Sequence, residues 1–255
     1  MLLALLGALA IGLSLGLMGS GGSILTVPIL VYLVGQPEKL AIAGSLAIVG
    51  GIALAGALPW TLKRQVDLRS LLWFGLPGMA GTWLGAWASQ WFSGAAQLAL
   101  FAVVMLLAAV MMFRSPASAS TPDARAPRGR LAIVGDGLAV GAITGLVGVG
   151  GGFLIVPALV LLGRLSMQKA IGTSLWIIAM KSFTGFIGYL PVLEKQGLQL
   201  DWRLIGLFIA IGAAGTLVGM QLASRLPQQT LKRAFAVFLV LMGVYIVLRT
   251  APQLF

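Results

Sequence analysis

The chain has 255 residues, of which 59% are hydrophobic and only 9% are charged, and its mean hydropathy is +1.03. A water-soluble domain needs a polar surface that this composition cannot supply, so the sequence indicates an integral membrane protein. The net charge of +11 would suggest a nucleic-acid partner in a soluble protein. Here the Lys and Arg residues lie mainly between apolar runs, where they report membrane topology instead.

Apolar segments of about the ~20 residues that a helix needs to cross a bilayer recur along the whole chain. Runs of this length predict helices, because the strands of a barrel would be short and alternating. The first run has no basic residues before it and no cleavage-site pattern, so we interpret it as a membrane element and not as a signal peptide. The segments are Met1–Val34, Leu40–Trp60, Leu71–Trp91, Ala95–Phe113, Leu131–Gly163, Ala170–Leu193, Leu204–Ala223 and Leu231–Leu248.

The second half of the chain repeats the first. GLMGSGGSILTVPIL, which begins at Gly16, matches GLVGVGGGFLIVPAL, which begins at Gly145, at nine of fifteen positions. The same offset in residue number aligns AIAGSL at Ala41 with AIGTSL at Ala170. An offset five residues longer aligns GMAGTWLG at Gly78 with GAAGTLVG at Gly212. We therefore predict a first transmembrane repeat over 1–113, a polar basic linker over 114–130, and a second transmembrane repeat over 131–255.

The loop charges predict how the two repeats are oriented. The loop 61–69 is basic in the first repeat, whereas the loop near 92–94 is uncharged, and this bias is reversed in the second repeat. Because Lys and Arg collect on the cytoplasmic side, matching loops are expected on opposite sides of the membrane. This arrangement places the linker in the cytoplasm and both termini outside.

The fold class that follows is an all-α polytopic membrane protein built from two inverted repeats. Inversion requires an odd number of crossings in each repeat. The long first segment of each repeat must then cross an even number of times, although its 34 or 33 residues are too few for two full spans. We expect each repeat to be a helix, a glycine break and a shorter helix folded back, followed by three transmembrane helices.

The glycine breaks are the first candidate site. Glycine clusters followed by proline, at the same place in both repeats, are typical of discontinuous helices whose freed backbone lines a cavity. The amide groups at such breaks can bind an anion, and glycine lets the anion approach them. Close helix packing is the alternative explanation. The candidate binding residues are Gly19, Ser20, Gly21, Gly22, Ser23, Ser45, Gly148, Gly150, Gly151, Gly152, Thr173 and Ser174.

Two charged residues inside apolar segments complete the candidate site. Lys181 lies in the middle of the segment Ala170–Leu193, where a charged side chain is costly and suggests a function, so we predict that it balances the charge of the anion. The alternatives are a carboxylate partner or extension of the side chain to the interface. Asp136 is a candidate for ion coupling or for pairing with Lys181, although a structural role near the interface is the simpler reading.

Several classes of chemistry are unsupported by the sequence. The chain has no Cys and no His, which excludes disulfides, thiolate chemistry and a serine–histidine relay. Its six Asp and Glu residues are too scattered to predict a metal site, and no complete nucleotide-binding motif occurs. We therefore expect no enzyme activity, no cofactor and no metal. A homo-oligomer and a coupling proton or cation remain open.

The motifs also resemble those of the sulfite exporter TauE/SafE family of bacterial transporters. The resemblance rests on the repeated G-x-x-G-x-G-G-x-x-x-x-x-P pattern, on AIGTSL at Ala170–Leu175, on KSFTGF at Lys181–Phe186 and on Asp201-Trp202. It implies an inner-membrane transporter for anions such as sulfite, sulfonates or sulfoacetate. The first repeat departs from the pattern, because Ile52 stands where the second repeat has Lys181.

The sequence leaves three functional classes open. The one it favours is a secondary transporter of small sulfur-containing anions that works by alternating access. The same parts could form an uncoupled anion channel or carry another small organic anion. A third class is a membrane scaffold in which the glycines serve packing alone.

Overall fold

The structure is a computed structural model of the chain. The structure describes residues 2–19, 22–114, 130–147, 155, 156, 159, 165, 167–223, 237 and 240–249, and those residues form helices and the turns between them. The first repeat contains α1 (Leu2–Met18), α2 (Gly22–Pro28), a π-helical segment (Ile29–Leu33), α3 (Glu38–Leu62), α4 (Leu68–Ser70), a second π-helical segment (Leu71–Gly75), α5 (Leu76–Ala88), a 3₁₀ turn (Ser89–Trp91) and α6 (Gly94–Arg114). The second contains α7 (Arg130–Val147), α8 (Met167–Lys195), α9 (Trp202–Ala223) and α10 (Val240–Arg249).

The described helices fit a membrane protein. Three of them, α3, α8 and α9, are long and apolar enough to cross a bilayer. Several shorter helices are equally apolar, and large side chains such as Leu62 and Leu248 lie exposed on the protein surface, as expected for a surface that meets lipid. The all-helical prediction is therefore confirmed for the described residues, whereas the linker between Arg114 and Arg130 lies outside them.

The first long segment folds back on itself at the predicted break. α1 ends at Met18, and α2 returns along it, so that Gly22 packs against the carbonyl group of Ile11, and Ile29 packs against Gly7. A Cβ at position 22 would overlap that carbonyl group, so Gly22 is required by the close approach of the two helices. The helix, break and shorter returning helix that we expected are present in the first repeat.

Glycine faces join the two repeats in two matching places. α1 packs on α9, where a Cβ at Gly12 would overlap the carbonyl oxygen of Gly212. α7 packs on α5 in the same manner, with Gly141 against the carbonyl oxygen of Gly78. These four glycines match each other in the sequence repeat. The first helix of each repeat thus packs on the third apolar segment of the other repeat.

The centre of the fold is the contact between α3 and α8, which are matching helices of the two repeats. Gly56 lies against Leu175 and Thr216, and its match Gly185 lies against Leu46 and Thr82 in the same way. Residues early in α3 contact residues late in α8, so these matching helices run antiparallel. By the same reasoning α5 runs parallel to α8, since Gly78 contacts Lys181 and Ala86 contacts Gly188.

The two repeats differ where α5 begins. Leu71–Gly75 is π-helical, whereas the matching part of α9 is regular α-helix. The cause is Pro77, which replaces Ile211 of α9 and has no N–H to donate to the carbonyl group of Trp73. A π-helical turn of this kind is frequent at functional sites, because it displaces side chains and frees backbone groups.

Candidate functional site

The first break is built around Gly19. Its φ of +67° lies in the left-handed region that favours glycine, and its N–H donates to the carbonyl oxygen of Leu15 at 2.7 Å, which ends α1. The break packs on α8, because Ile171 contacts Gly19. Ser20 and Gly21 lie outside the described residues, and Gly22 and Ser23 are buried at the start of α2.

Thr173 and Ser174 of α8 lie beside this break and are fully buried. The Ser174 hydroxyl donates to the carbonyl oxygens of Gly19 at 3.0 Å and of Ile171 at 2.8 Å. The Thr173 hydroxyl accepts a hydrogen bond from the backbone N–H of Asp67 at 2.8 Å. The structure therefore brings Gly19, Thr173 and Ser174 together, and in this conformation both hydroxyls have structural partners.

Lys181 lies at the middle of α8 and is 0% exposed. Its aliphatic stem packs against Gly78 of α5, and its Nζ lies 6.0 Å from the centre of the Phe74 ring in the second π-helical segment. The Nζ has no hydrogen-bond partner among the described residues. An unpaired cationic side chain at this depth is expensive unless it serves a ligand.

The Lys181 side chain reaches toward the first break. α5 and α8 run parallel, and Gly75, the neighbour of Phe74, lies level with Ile177, so the Nζ lies nearer the start of α8 than its own Cα does. Ser174 lies seven residues before Lys181, which places both on one face of α8 with about 10 Å of helix between them. The break and the lysine thus belong to one face of the protein interior.

Ser45 and Asp136, the other described candidates, make no hydrogen bond to the Lys181 Nζ. Ser45 is buried in α3, and its hydroxyl donates to the carbonyl oxygen of Ile42 at 2.8 Å. Asp136 is half-buried on α7 next to Gly137, which contacts the Phe74 carbonyl group. Because the Lys181 Nζ has no hydrogen-bond partner in the described part of the chain, it forms no hydrogen-bonded pair with Asp136.

The second break, with Gly148, Gly150, Gly151 and Gly152, lies outside the described residues, but the helix that leads into it is held firmly. The carbonyl oxygen of Leu146, one residue before the end of α7, accepts a hydrogen bond from the Tyr189 hydroxyl at 2.6 Å. It accepts another from the Gln97 side-chain amide, which also donates to the Tyr189 hydroxyl at 2.7 Å. Both side chains are buried, so α6 and α8 together fix the end of α7.

Sequence reasoning did not identify Gln97 and Tyr189. The available signal was weak: Gln97 is an amide near the start of an apolar segment, and Tyr189 stands at the position of Trp60 in the first repeat. Trp60 has its indole Nε1 buried with no hydrogen-bond partner in the described residues. The matched positions Trp60 and Tyr189 therefore make different contacts in the two repeats.

The described residues contain no group of three or more His, Cys, Asp or Glu side chains that could hold a metal ion. What they do contain is the buried Lys181 amine without a hydrogen-bond partner, on the face of α8 that also carries Ser174 and the first break. Such a group can compensate a negative charge inside a low-dielectric interior. The chemistry that this arrangement supports is the binding of an anion.

Comparison with known proteins gives a consistent result. The model of the family described as "Sulfite exporter TauE/SafE" matches residues 3–246. A probable membrane transporter protein of Xylella fastidiosa (strain 9a5c) is 33% identical over 250 residues, which cover 96% of this chain and 94% of that protein. The probable membrane transporter protein YunE of Bacillus subtilis is 28% identical, with 95% of each chain covered. No solved structure matches the chain.

Proposed function

Because the chain belongs to the sulfite exporter TauE/SafE family, we propose that this membrane transporter is a secondary transporter of small sulfur-containing anions. Sulfite, sulfonates and sulfoacetate are the proposed substrates, and the bacterial inner membrane is the proposed location. The observation that supports an anionic substrate most strongly is the buried Nζ of Lys181, which has no hydrogen-bond partner in the described residues.

In this proposal Lys181 supplies the charge and the first break supplies polar contacts. Ser174 lies on the same face of α8 and already touches Gly19, so an anion beside Lys181 can reach hydroxyl and amide groups from that side. Thr173, Ser20, Ser23 and the amides of Gly21 and Gly22 are the further proposed contacts of the first repeat. Ser45, Gly148, Gly150, Gly151 and Gly152 are their proposed counterparts at the second break.

We propose that the two repeats are inverted and that transport uses alternating access. The antiparallel packing of α3 on its match α8 supports inversion, because repeats with the same orientation would have parallel matching helices. α1 contacts α9 in the same way as α7 contacts α5. This equivalence supports two transport conformations of similar energy, in which the conformations of the two repeats are exchanged. Asp136 is the proposed coupling carboxylate, since it lies on α7 beside the Phe74 segment.

Flux through proteoliposomes tests the proposal. Purified protein in liposomes is expected to take up radiolabelled sulfite, and unlabelled sulfonate on the opposite side is expected to accelerate the uptake. Acceleration by opposite-side substrate is a property of alternating access and not of an open pore. Single-channel currents without such acceleration would show the uncoupled channel instead. Acceleration by carboxylates but not by sulfonates would assign another organic anion, and no uptake of any anion would leave a scaffold.

A further inference from the structure

The protein interior offers one compensating charge at the proposed site. Among the described residues only two lysines are buried, and Lys39 already donates to the Ser89 carbonyl oxygen at 2.5 Å, in the first turn of α3. Of these two buried lysines, Lys181 is the one whose Nζ has no hydrogen-bond partner. The site can therefore neutralise a single negative charge.

The described parts of the neighbouring helices bring no second cation to this region. α5 and the π-helical segment before it carry no charged residue. α3 carries Glu38 and Lys39, both in its first turn, whereas its contact with this part of α8 lies near Gly50. α7 carries Arg130 at its first residue and Asp136, whose charge is negative. Among the described residues of these helices, Lys181 is thus the one cation that reaches this region.

The matched position in the first repeat shows that packing does not require a lysine. Ile52 matches Lys181 and packs against Gly212, as Lys181 packs against the matching Gly78. The next residue shows the same difference, because Ala53 of the first repeat becomes Ser182, whose buried hydroxyl has no hydrogen-bond partner in the described residues. The second repeat alone has two adjacent polar groups that the scaffold leaves unused.

From this difference we propose that the transporter selects anions carrying one negative charge, an inference that rests on the proposed function. A monoanion and the Lys181 ammonium form a neutral pair, whereas a dianion leaves one uncompensated charge in a low-dielectric interior. The selection therefore depends on charge and not only on shape. We expect a dianion of the same size to bind at least about a hundredfold more weakly.

This inference distinguishes substrates that share the same sulfur–oxygen chemistry. A simple alkylsulfonate such as methanesulfonate carries one charge at any working pH, whereas sulfate carries two. Sulfoacetate also carries two above the pKa of its carboxyl group, so the inference removes its dianion from the proposed substrates. Sulfite changes from one charge to two as the pH rises through neutrality, so the transported form is hydrogen sulfite. Phe74, whose ring lies beside the ammonium, offers an apolar contact for the organic part of a sulfonate.

Competition at two pH values tests the inference. Uptake of radiolabelled sulfonate into proteoliposomes is measured with unlabelled methanesulfonate, sulfate or sulfite as competitor, below and above the second ionisation of sulfite. Methanesulfonate keeps one charge at both pH values, so any change in its competition measures titration of the protein, and the change seen with sulfite is compared with it. Sulfite is expected to weaken by about tenfold per pH unit above its second pKa, and sulfate is expected to compete at least a hundredfold more weakly than methanesulfonate.

Two variants strengthen the test. Lys181→Arg keeps one charge and is expected to retain the preference for monoanions. Lys181→Ile is expected to lose uptake of the labelled sulfonate itself while staying folded, since isoleucine fills the matched position. Sulfate that competes as well as methanesulfonate, or sulfite that competes better at high pH, would overturn the inference and leave the proposed transport intact. Absence of any anion-dependent uptake would overturn the proposed function and the inference with it.

Discussion

Two matched faces of the molecule are built alike and charged differently. On α8, Ser174 and Lys181 are seven residues apart, and Lys181 packs on Gly78 of α5. On α3, Ser45 and Ile52 have the same spacing, and Ile52 packs on Gly212 of α9. The helix contacts repeat residue by residue, but the ammonium group occurs once.

The difference separates what the scaffold needs from what the substrate needs. The glycine faces, which both repeats share where their helices meet, serve the fold. A feature that one repeat has added, such as Lys181, Ser182 and the π-helical segment beside Phe74, is not required by packing. We therefore assign charge recognition to the second repeat and the α5 surface that it contacts. The following variants test that division, from the largest expected effect to the smallest.

Replacing the charged residue by its match should abolish transport without unfolding the protein. In Lys181→Ile the anion loses its only charged contact, and breaking a buried charge pair costs about 3–5 kcal/mol. This energy corresponds to a loss of at least about a hundredfold in sulfonate uptake at low substrate concentration. The melting temperature in detergent should stay equal or rise, because an unpaired buried amine is removed.

The reverse change is the matched control. Ile52→Lys places a cation where the scaffold has no ligand, so we expect a lower melting temperature and no gain in uptake. If Lys181→Ile transports as well as the parent, or if Ile52→Lys restores transport to Lys181→Ile, the assignment of charge to one face is wrong.

The glycine faces should respond equally in the two repeats. Gly12→Ala and Gly141→Ala each place a Cβ into a backbone carbonyl group of the facing helix, so each should destabilise the fold by about 1–3 kcal/mol. Gly206→Ala is the control, because nothing lies within 4 Å of its added Cβ, and alanine there should be neutral or stabilising. Thermal unfolding measures all three. A large effect in one repeat alone would contradict a scaffold that is shared between the two.

The hydroxyl that joins the first break to α8 should have a smaller effect. Ser174→Ala leaves the buried Gly19 carbonyl group without its side-chain donor, and an unsatisfied buried acceptor costs about 1–3 kcal/mol. We expect a lower melting temperature together with a weaker apparent affinity for sulfonate, measured by uptake at varied concentration. If stability falls and affinity is unchanged, Ser174 has only a structural role.

The smallest effect is expected at the second break. Tyr189→Phe removes a hydroxyl from the Leu146 carbonyl group, but Gln97 still donates to that oxygen, so the loss should be about 1 kcal/mol. Tyr245→Phe, on the exposed part of α10, is the control and should change stability by less than about 0.5 kcal/mol. Equal melting temperatures for both variants would show that the Tyr189 hydroxyl does not hold α7.

The sequence predicted those features that depend on periodicity and repetition. The apolar runs gave the membrane helices, and glycine followed by proline gave the fold-back of α2, because both signals are local. The sequence also predicted that Lys181 lies near the centre of a helix. Its partners Phe74 and Gly78 were not, since they come from a distant segment whose path depends on helix packing.

Some features needed the structure for a further reason. Gly22 was proposed as an anion contact, and its close packing on Ile11 could not be read from the sequence because both roles favour glycine. The Gln97 and Tyr189 hydrogen bonds join three helices, and no spacing along the chain predicts such a meeting. The sequence repeat gave information that helix propensity could not, because each position in one half can be compared with its match in the other half.

The most direct test of the account is to locate the anion. A crystal structure of the protein with a bromine-labelled sulfonate would show the label by its anomalous scattering. The account predicts a sulfonate group within hydrogen-bond distance of the Lys181 Nζ, on the side of Phe74 and Ser174, and none beside Ile52. A sulfonate bound beside Ile52, or bound at a break with the Lys181 Nζ still unpaired, would contradict it.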